Sequence, residues 1–104
     1  MPATVEQMRD ALKEIFDPEI PINIVDLGLI YKVEETEPGK VNVEFTVTSP
    51  ACPVGEELAR KIKETIARQD GVKEVNVQIV WEPTWTKEKM SFEGKLQASM
   101  LGIA

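Results

Sequence analysis

The sequence predicts a two-layer α+β domain in which helices cover one face of a small mixed sheet. Two kinds of hydrophobic pattern support this. Apolar residues recur at helical spacing near the N-terminus and again after residue 53, and two further stretches alternate apolar with polar residues. In chain order the elements read α-β-β-α-β with a short helical tail. Because 104 residues suffice for one hydrophobic core, we expect a single domain over residues 1–104.

The N-terminal segment has the signals of an amphipathic helix. Thr4 and Gln7 stand three residues apart and predict a capping box, in which each side chain satisfies a backbone N–H at the helix start. Pro18 disfavours a helical conformation at Asp17, so the helix should end near residue 16. The apolar residues expected on its buried face are Val5, Met8, Leu12, Ile15 and Phe16.

The next part of the chain predicts a turn and a β-hairpin. Asp26 lies in a mostly apolar segment, where its carboxylate needs either solvent or hydrogen-bond donors. We expect a turn in which Asp26 accepts local bonds and Gly28 takes a positive φ. Residues 29–35 read as a strand and residues 37–40 as its hairpin connection. The second strand has four buried positions in strict alternation, namely Val41, Val43, Phe45 and Val47.

The second half predicts a helix, a third strand and a tail. Pro53 suits the first turn of the helix, and Asp70-Gly71 suits its end. We expect Trp85 to pack against the core or the tail. The predicted buried residues are Val54, Leu58, Ile62 and Ile66 in the helix, Val75, Val77, Ile79 and Trp81 in the strand, and Phe92, Leu96 and Met100 in a short helix over residues 91–101.

Composition narrows the class of partner. With 18 acidic and 12 basic residues the net charge is −6, which disfavours nucleic acids and anionic membrane surfaces. No apolar run approaches the roughly 18–20 residues of a membrane span, and the N-terminus lacks the pattern of a signal peptide. A single cysteine cannot form an internal disulfide, which fits a reducing compartment. We expect a cytoplasmic protein.

Cys52 is the single cysteine of the chain and stands where a strand gives way to a helix. If Pro53 is the first helical residue, Cys52 is the N-cap. The positive end of the helix dipole would then lower the thiol pKa and favour the reactive thiolate. A buried structural cysteine fits the same spacing about equally well. The residues alone leave both interpretations open.

The chain has too few cysteine and histidine residues to bind an iron–sulfur cluster alone. Iron–sulfur clusters usually take four thiolates, some of which histidine can replace, whereas this chain has one cysteine and no histidine. Any cluster should therefore be transient or shared with a second chain, with Asp17, Glu19 or Asp26 as additional ligands. Loop acids such as Asp17 and Glu19 are more often simply solvated, and a turn-stabilising role is the default for Asp26.

Three ordered motifs make the chain resemble the SufT/PaaD-like family of iron–sulfur cluster assembly factors. They are Asp17-Pro18-Glu19-Ile20-Pro21 with Ile24-Val25-Asp26-Leu27-Gly28-Leu29-Ile30-Tyr31, then Thr48-Ser49-Pro50-Ala51-Cys52-Pro53, then Trp81-x-Pro83-x-Trp85 with Ser91 and Leu101-Gly102-Ile103. The resemblance implies an α-β-β-α-β domain and a functional site at which Asp17, Glu19, Thr48 and Cys52 converge. It also implies a role in maturing iron–sulfur proteins, together with assembly proteins and client apo-proteins.

One branch of that family serves an oxygenase acting on phenylacetyl-CoA and typically carries an extra cysteine-rich C-terminal segment. This chain has no cysteine after Cys52, so the general assembly branch is expected.

Three functional hypotheses remain. In the first, the protein is a maturation factor rather than a turnover enzyme. It acts through Cys52 and handles a transient iron–sulfur cluster or iron, shared across a homodimer or with a partner. In the second, it is an interaction adaptor, including an accessory protein of a phenylacetyl-CoA oxygenase-type complex. Cys52 is then structural, and the surface around Asp17, Glu19 and Trp85 docks clients. In the third and weakest, Cys52 is an enzyme nucleophile, although the chain lacks a histidine base.

Overall fold

The computed structural model describes residues 2–17, 20–48 and 54–102, and it has the predicted α+β architecture. Three strands form one mixed sheet in the order β1-β2-β3, in which the central β2 is antiparallel to β1 and parallel to β3. The strands are β1 (Ile30–Glu37), β2 (Lys40–Phe45) and β3 (Glu74–Ile79), and the helices are α1 (Val5–Ala11), α2 (Val54–Ala67) and α3 (Phe92–Met100). Short 3-10 turns follow α1 at Leu12–Glu14 and precede α3 at Lys87–Lys89.

The core lies between the sheet and the two helices α1 and α2, which contact each other and the sheet. The predicted alternation of β2 and the predicted stripe of α2 both supply it. Burying one such aliphatic or aromatic side chain contributes about 1.5–3 kcal/mol, so these residues hold the two layers together. Fully buried members are Met8, Leu12, Val41, Val43, Phe45, Leu58, Ile62 and Ile66.

The first helix begins as predicted and ends earlier. Thr4 Oγ1 accepts a hydrogen bond from the Gln7 backbone N–H at 3.1 Å, and Gln7 Oε1 accepts one from the Thr4 N–H at 2.9 Å. After the 3-10 turn the chain is extended at Ile15, so successive side chains point to opposite sides. Ile15 is buried and Phe16 is 52% exposed. The prediction that Phe16 is a core residue is therefore wrong.

The third strand ends two residues before its predicted limit. Its last ladder contact pairs Ile79 with Phe45, the final residue of β2, and the Val80 N–H donates to the Phe45 carbonyl at 2.8 Å. Beyond this point β2 offers no further partner, and the chain leaves the sheet. Trp81 is consequently 55% exposed, so the prediction that it lies in the core is wrong.

The C-terminal helix forms as predicted, but with its faces inverted. Ser91 is the N-cap and its Oγ accepts a hydrogen bond from the Gly94 N–H at 3.0 Å. The residues that α3 buries are Gly94 and Ala98. The predicted buried residues are instead exposed, by 79% for Phe92, 47% for Leu96 and 78% for Met100.

Close backbone contact explains the inversion. A Cβ on Gly94 would lie 2.3 Å from the Asp26 carbonyl oxygen, so only a residue without a side chain permits the approach of α3 to this turn. None of the helices in the described ranges is both long and apolar enough to cross a membrane.

Candidate functional site

The segment between β2 and α2 carries the Thr48–Pro53 motif. It joins the carboxyl end of a strand to the start of a helix, and α2 connects the parallel strands β2 and β3. In such β-α-β units the carboxyl ends of the strands and the amino end of the helix meet at one edge, where ligands commonly bind. Residues 49–53 lie outside the described residues, so the N-cap position of Cys52 stays a prediction.

Gly55 lies where the start of α2 comes close to the end of β3 and to the residues that follow β2. It is buried in the first turn of α2. A Cβ placed on it would lie 2.7 Å from Ile79 Cδ1 and 3.9 Å from Val47 Cγ1. The start of α2 thus packs against the last residue of β3 and against the residue that precedes Thr48. The segment that contains Cys52 is therefore anchored at both ends by the core.

Asp17 is buried, being only 3% exposed, which departs from the expectation of a solvated loop acid. Its Oδ1 accepts a hydrogen bond from the Ile20 N–H at 3.1 Å, and its own N–H donates to the Ile22 carbonyl at 3.3 Å. These bonds close the loop that contains Glu19, which itself lies outside the described residues. The Asp17 carboxylate therefore fixes the backbone at Ile20, just after the two undescribed residues.

A chain of backbone hydrogen bonds connects the Asp17 loop to the end of β2. Three N–H···O bonds run from Ile24 to Ile15, from Leu29 to Ile24 and from Thr46 to Leu29, with lengths of 2.9, 3.0 and 2.8 Å. Asp17 lies two residues after the first acceptor, and the partly buried Thr48 lies two residues after the last donor. Asp17 and Thr48 thus both lie close in the chain to one hydrogen-bonded framework. Convergence of all four predicted site residues stays a prediction, because Cys52 and Glu19 are not described.

Asp26 stabilises a turn, as the sequence predicts. Its Oδ2 accepts from Asn23 Nδ2 at 2.7 Å, its N–H donates to Asn23 Oδ1 at 2.9 Å, and Gly28 has a φ of 81°. Asp26 also holds the C-terminal segment, which the sequence reasoning missed. Its Oδ1 accepts from Ser91 Oγ at 2.8 Å and its carbonyl accepts from the Ser91 N–H at 2.8 Å.

Trp85 packs against the core, as predicted, and its Nε1–H donates to the Leu27 carbonyl at 2.6 Å. This bond, together with those of Ser91, fixes the C-terminal segment to the turn at residues 23–28. Gly94 was the available sequence signal for this contact, because a glycine inside a helix often marks a close backbone approach.

An open groove of about 770 Å³ lies between α1, the start of β1 and the C-terminal segment. Arg9 Nη2 donates to the Ile30 carbonyl at 3.1 Å, and Lys89 Nζ lies 5.2 Å from the centre of the Tyr31 ring. The Tyr31 hydroxyl donates to the Pro83 carbonyl at 2.8 Å, and burial raises the pKa of this phenol. Acids and bases both line the groove, so its charge selects no class of ligand. Within the described ranges no group of three or more Cys, His, Asp or Glu residues could hold a metal ion.

Comparison with known proteins identifies relatives over most of the chain. Residues 5–79 match the sequence model of a family described as iron–sulfur cluster assembly protein. The Fe-S protein maturation auxiliary factor YitW of Bacillus subtilis is 38% identical over 94 residues, which are 90% of this chain and 92% of that protein. The Fe-S protein maturation auxiliary factor SufT of Staphylococcus aureus is 40% identical over 82 residues, covering 79% of this chain and 93% of that protein.

Two further matches concern the phenylacetyl-CoA oxygenase branch of the family and the fold. A protein of Escherichia coli named as a component of a 1,2-phenylacetyl-CoA epoxidase is 33% identical over 104 residues, covering 99% of this chain and 62% of that protein. The crystal structure of a DUF59 domain from Bacillus anthracis superposes with a TM-score of 0.83 at 33% identity, covering 95% of this chain and 92% of that chain. These matches confirm the resemblance carried by the three sequence motifs and the α+β fold.

Proposed function

The chain belongs to the iron–sulfur cluster assembly protein family, and we propose that it is an auxiliary factor for the maturation of iron–sulfur proteins that acts through Cys52. Its similarity to YitW and SufT, both named Fe-S protein maturation auxiliary factors, supports this role. The structural observation that carries the proposal is the packing of Gly55 against Val47 and Ile79. It anchors both ends of the Cys52 segment at the edge of the sheet where β-α-β units commonly bind ligands.

In this proposal Cys52 supplies a thiolate beside the start of α2. The dipole of this helix of 14 residues favours the charged form of a thiol at its amino end. Glu56 and Glu57 in the first turn reduce the same positive potential, so the two effects oppose each other. We further propose Thr48, Asp17 and Glu19 as neighbours of the thiolate. Asp17 acts there by shaping the loop that carries Glu19.

The iron–sulfur cluster is cargo rather than a resident cofactor in this proposal. One cysteine and no histidine cannot complete the usual set of four cluster ligands. A second chain must therefore supply the rest, whether a carrier, a client apo-protein or another copy of this protein. A reducing cytoplasm is the expected site of action, because the thiol must stay reduced to bind a cluster.

The second candidate is an adaptor in which Cys52 is structural. The match to the phenylacetyl-CoA epoxidase component of Escherichia coli favours it, although this chain spans 62% of that protein. Two of the three residues expected to form its docking surface are engaged within the fold. Asp17 is buried, and Trp85 is partly buried with its indole N–H bonded to Leu27.

Cluster transfer to an apo-ferredoxin separates the two candidates. The protein is reconstituted anaerobically with iron and sulfide, and the holo-ferredoxin spectrum is followed beside Cys52→Ser and the exposed control Thr36→Ser. If Cys52 carries the function, Cys52→Ser slows transfer about tenfold or more and lowers bound iron, while Thr36→Ser matches the parent protein. Equal transfer and equal iron in all three proteins would refute the role of Cys52. Equal iron together with undiminished binding of a client would favour the adaptor.

A further inference from the structure

Helix α3 presents an apolar stripe to solvent. Phe92, Leu96 and Met100 are spaced four residues apart and are all at least 47% exposed, whereas the small residues Gly94 and Ala98 face the protein. With roughly 100° of rotation per residue, Leu96 points directly away from the buried side, and the other two lie about 40° to either side of it. Single exposed apolar residues are normal, but a contiguous row with this spacing has the form of a helix-packing ridge.

The orientation of this stripe follows from how α3 is attached. Ser91 bonds to Asp26 through both its backbone N–H and its hydroxyl, and the Gly94 backbone lies against the Asp26 carbonyl. Turning the helix to bury Leu96 would place a side chain where a Cβ alone would lie 2.3 Å from that carbonyl oxygen. The fold therefore holds the stripe outward.

We propose that the stripe formed by Phe92, Leu96 and Met100 is a self-association surface that packs against the same stripe of a second copy, with the two α3 helices parallel. The stripe then pairs each residue with its own equivalent around a two-fold axis. The proposal goes beyond the proposed function and does not depend on the chemistry of Cys52. A second copy would also supply a second cysteine.

The charged residues beside the stripe favour a second copy of this chain as the partner and favour parallel packing of the two helices. Glu93 and Lys95 flank the stripe on opposite sides and are both exposed. In a parallel pair each Glu93 faces Lys95 of the other copy, which gives two complementary contacts. In an antiparallel pair Glu93 faces Gln97 of the other copy, and the two lysines approach each other. Exposed ion pairs add little affinity but discriminate between arrangements.

Area predicts that the dimer is weak. A helix of 9 residues is only about 13.5 Å long, so its outer face buries far less than the roughly 800 Å² per partner of a standard stable interface. We therefore expect association in the micromolar to millimolar range rather than an obligate dimer.

Sedimentation velocity of the full chain over that concentration range, at physiological salt, tests the surface. Leu96→Glu should weaken dimer formation about tenfold or more, whereas Ala67→Glu, an equal charge change at an exposed position of α2, should leave it unchanged. Far-UV circular dichroism confirms that both variants are folded. A protein that stays monomeric up to millimolar concentration, or a dimer that Leu96→Glu leaves intact, overturns the proposal. So does a stripe that only a different protein occupies.

A charge-swap cycle tests the direction of packing. Glu93→Lys and Lys95→Glu should each weaken association, and the double variant should restore it. Residues two apart on one helix do not face each other, so restoration cannot arise within a single chain. A double variant as weak as the single variants overturns the parallel arrangement. Because Cys52 is unchanged throughout, loss of the dimer and loss of cluster transfer are read independently.

Discussion

Substituting Gly94 by alanine tests whether the close approach of α3 decides its orientation. Helix propensity alone predicts that Gly94→Ala stabilises the protein by about 1 kcal/mol. The structure predicts the opposite, because the new Cβ would lie 2.3 Å from the Asp26 carbonyl oxygen and 2.9 Å from its carbon. Both atoms belong to the backbone and cannot move aside as a flexible side chain would.

The magnitude follows from two losses and one gain. Overpacking costs about 1–3 kcal/mol, and displacing α3 weakens the bond from Ser91 to the Asp26 carboxylate, a charged-group hydrogen bond of about 1.5–3 kcal/mol. Subtracting the gain of about 1 kcal/mol in helix propensity from these two losses leaves a net loss of about 1.5–5 kcal/mol. For a domain of this size each 1 kcal/mol lowers the Tm by about 4–8 °C.

Urea unfolding followed by far-UV circular dichroism measures this loss, and hydrogen exchange at the Ser91 and Lys95 amides reports local detachment of α3. Ser99→Ala is the matched control, since Ser99 is exposed on the same helix and alanine improves its propensity without a clash. The control should be neutral or slightly stabilising. A Gly94→Ala protein as stable as the parent, with unchanged amide protection, would refute the packing argument.

Three further outcomes are expected. Ser91→Ala removes the N-cap of α3 and the hydroxyl that binds Asp26, so chemical denaturation should show a loss of about 1–2 kcal/mol, whereas Ser91→Thr should retain most of the stability. Burial raises the pKa of Tyr31 above its ordinary value of 10.0, so the tyrosine of the unfolded chain ionises first and the free energy of unfolding should fall as pH rises through that value. Because the chain has one tyrosine, ultraviolet titration measures its pKa directly. A phenol pKa at or below 10.0 would contradict the expectation. Gly55→Ala should alter the alkylation rate of Cys52 several-fold, because the new Cβ moves α2 away from Ile79 Cδ1. Adding Ile79→Val to this variant removes Cδ1 and should restore the rate. An unchanged rate in the single variant would show that the contact does not position the cysteine.

The order and type of the elements could be predicted because they depend on local periodicity. The alternation in β2 and the stripe of α2 both place apolar residues on one side, and the core contains them as expected, except Val54, whose side chain lies outside the described part of the structure. The capping box of Thr4 and Gln7 is likewise a contact three residues apart. The motif around Cys52 indicated the family, which the comparisons confirm, whereas the site around Cys52 stays a prediction. These features can be predicted from the sequence because the interacting residues lie close together in the chain.

The directions in which Phe16, Trp81 and α3 face were decided by tertiary structure. Periodicity reveals that a helix or strand has an apolar side, but it carries no information on which neighbour that side meets. Phe16 points outward because the chain becomes extended at Ile15, and Trp81 is exposed because β2 has already ended at Phe45.

Helix α3 is the clearest case in which periodicity does not predict orientation. Its orientation depends on a contact between Ser91 and Asp26, which are 65 residues apart, and on the missing side chain of Gly94. The sequence by itself determined that this segment is a helix with an apolar stripe. Only the folded chain determined that the stripe faces solvent, because the side of α3 that contacts the rest of the protein is the Gly94 side, where the two backbones touch, and not the apolar side.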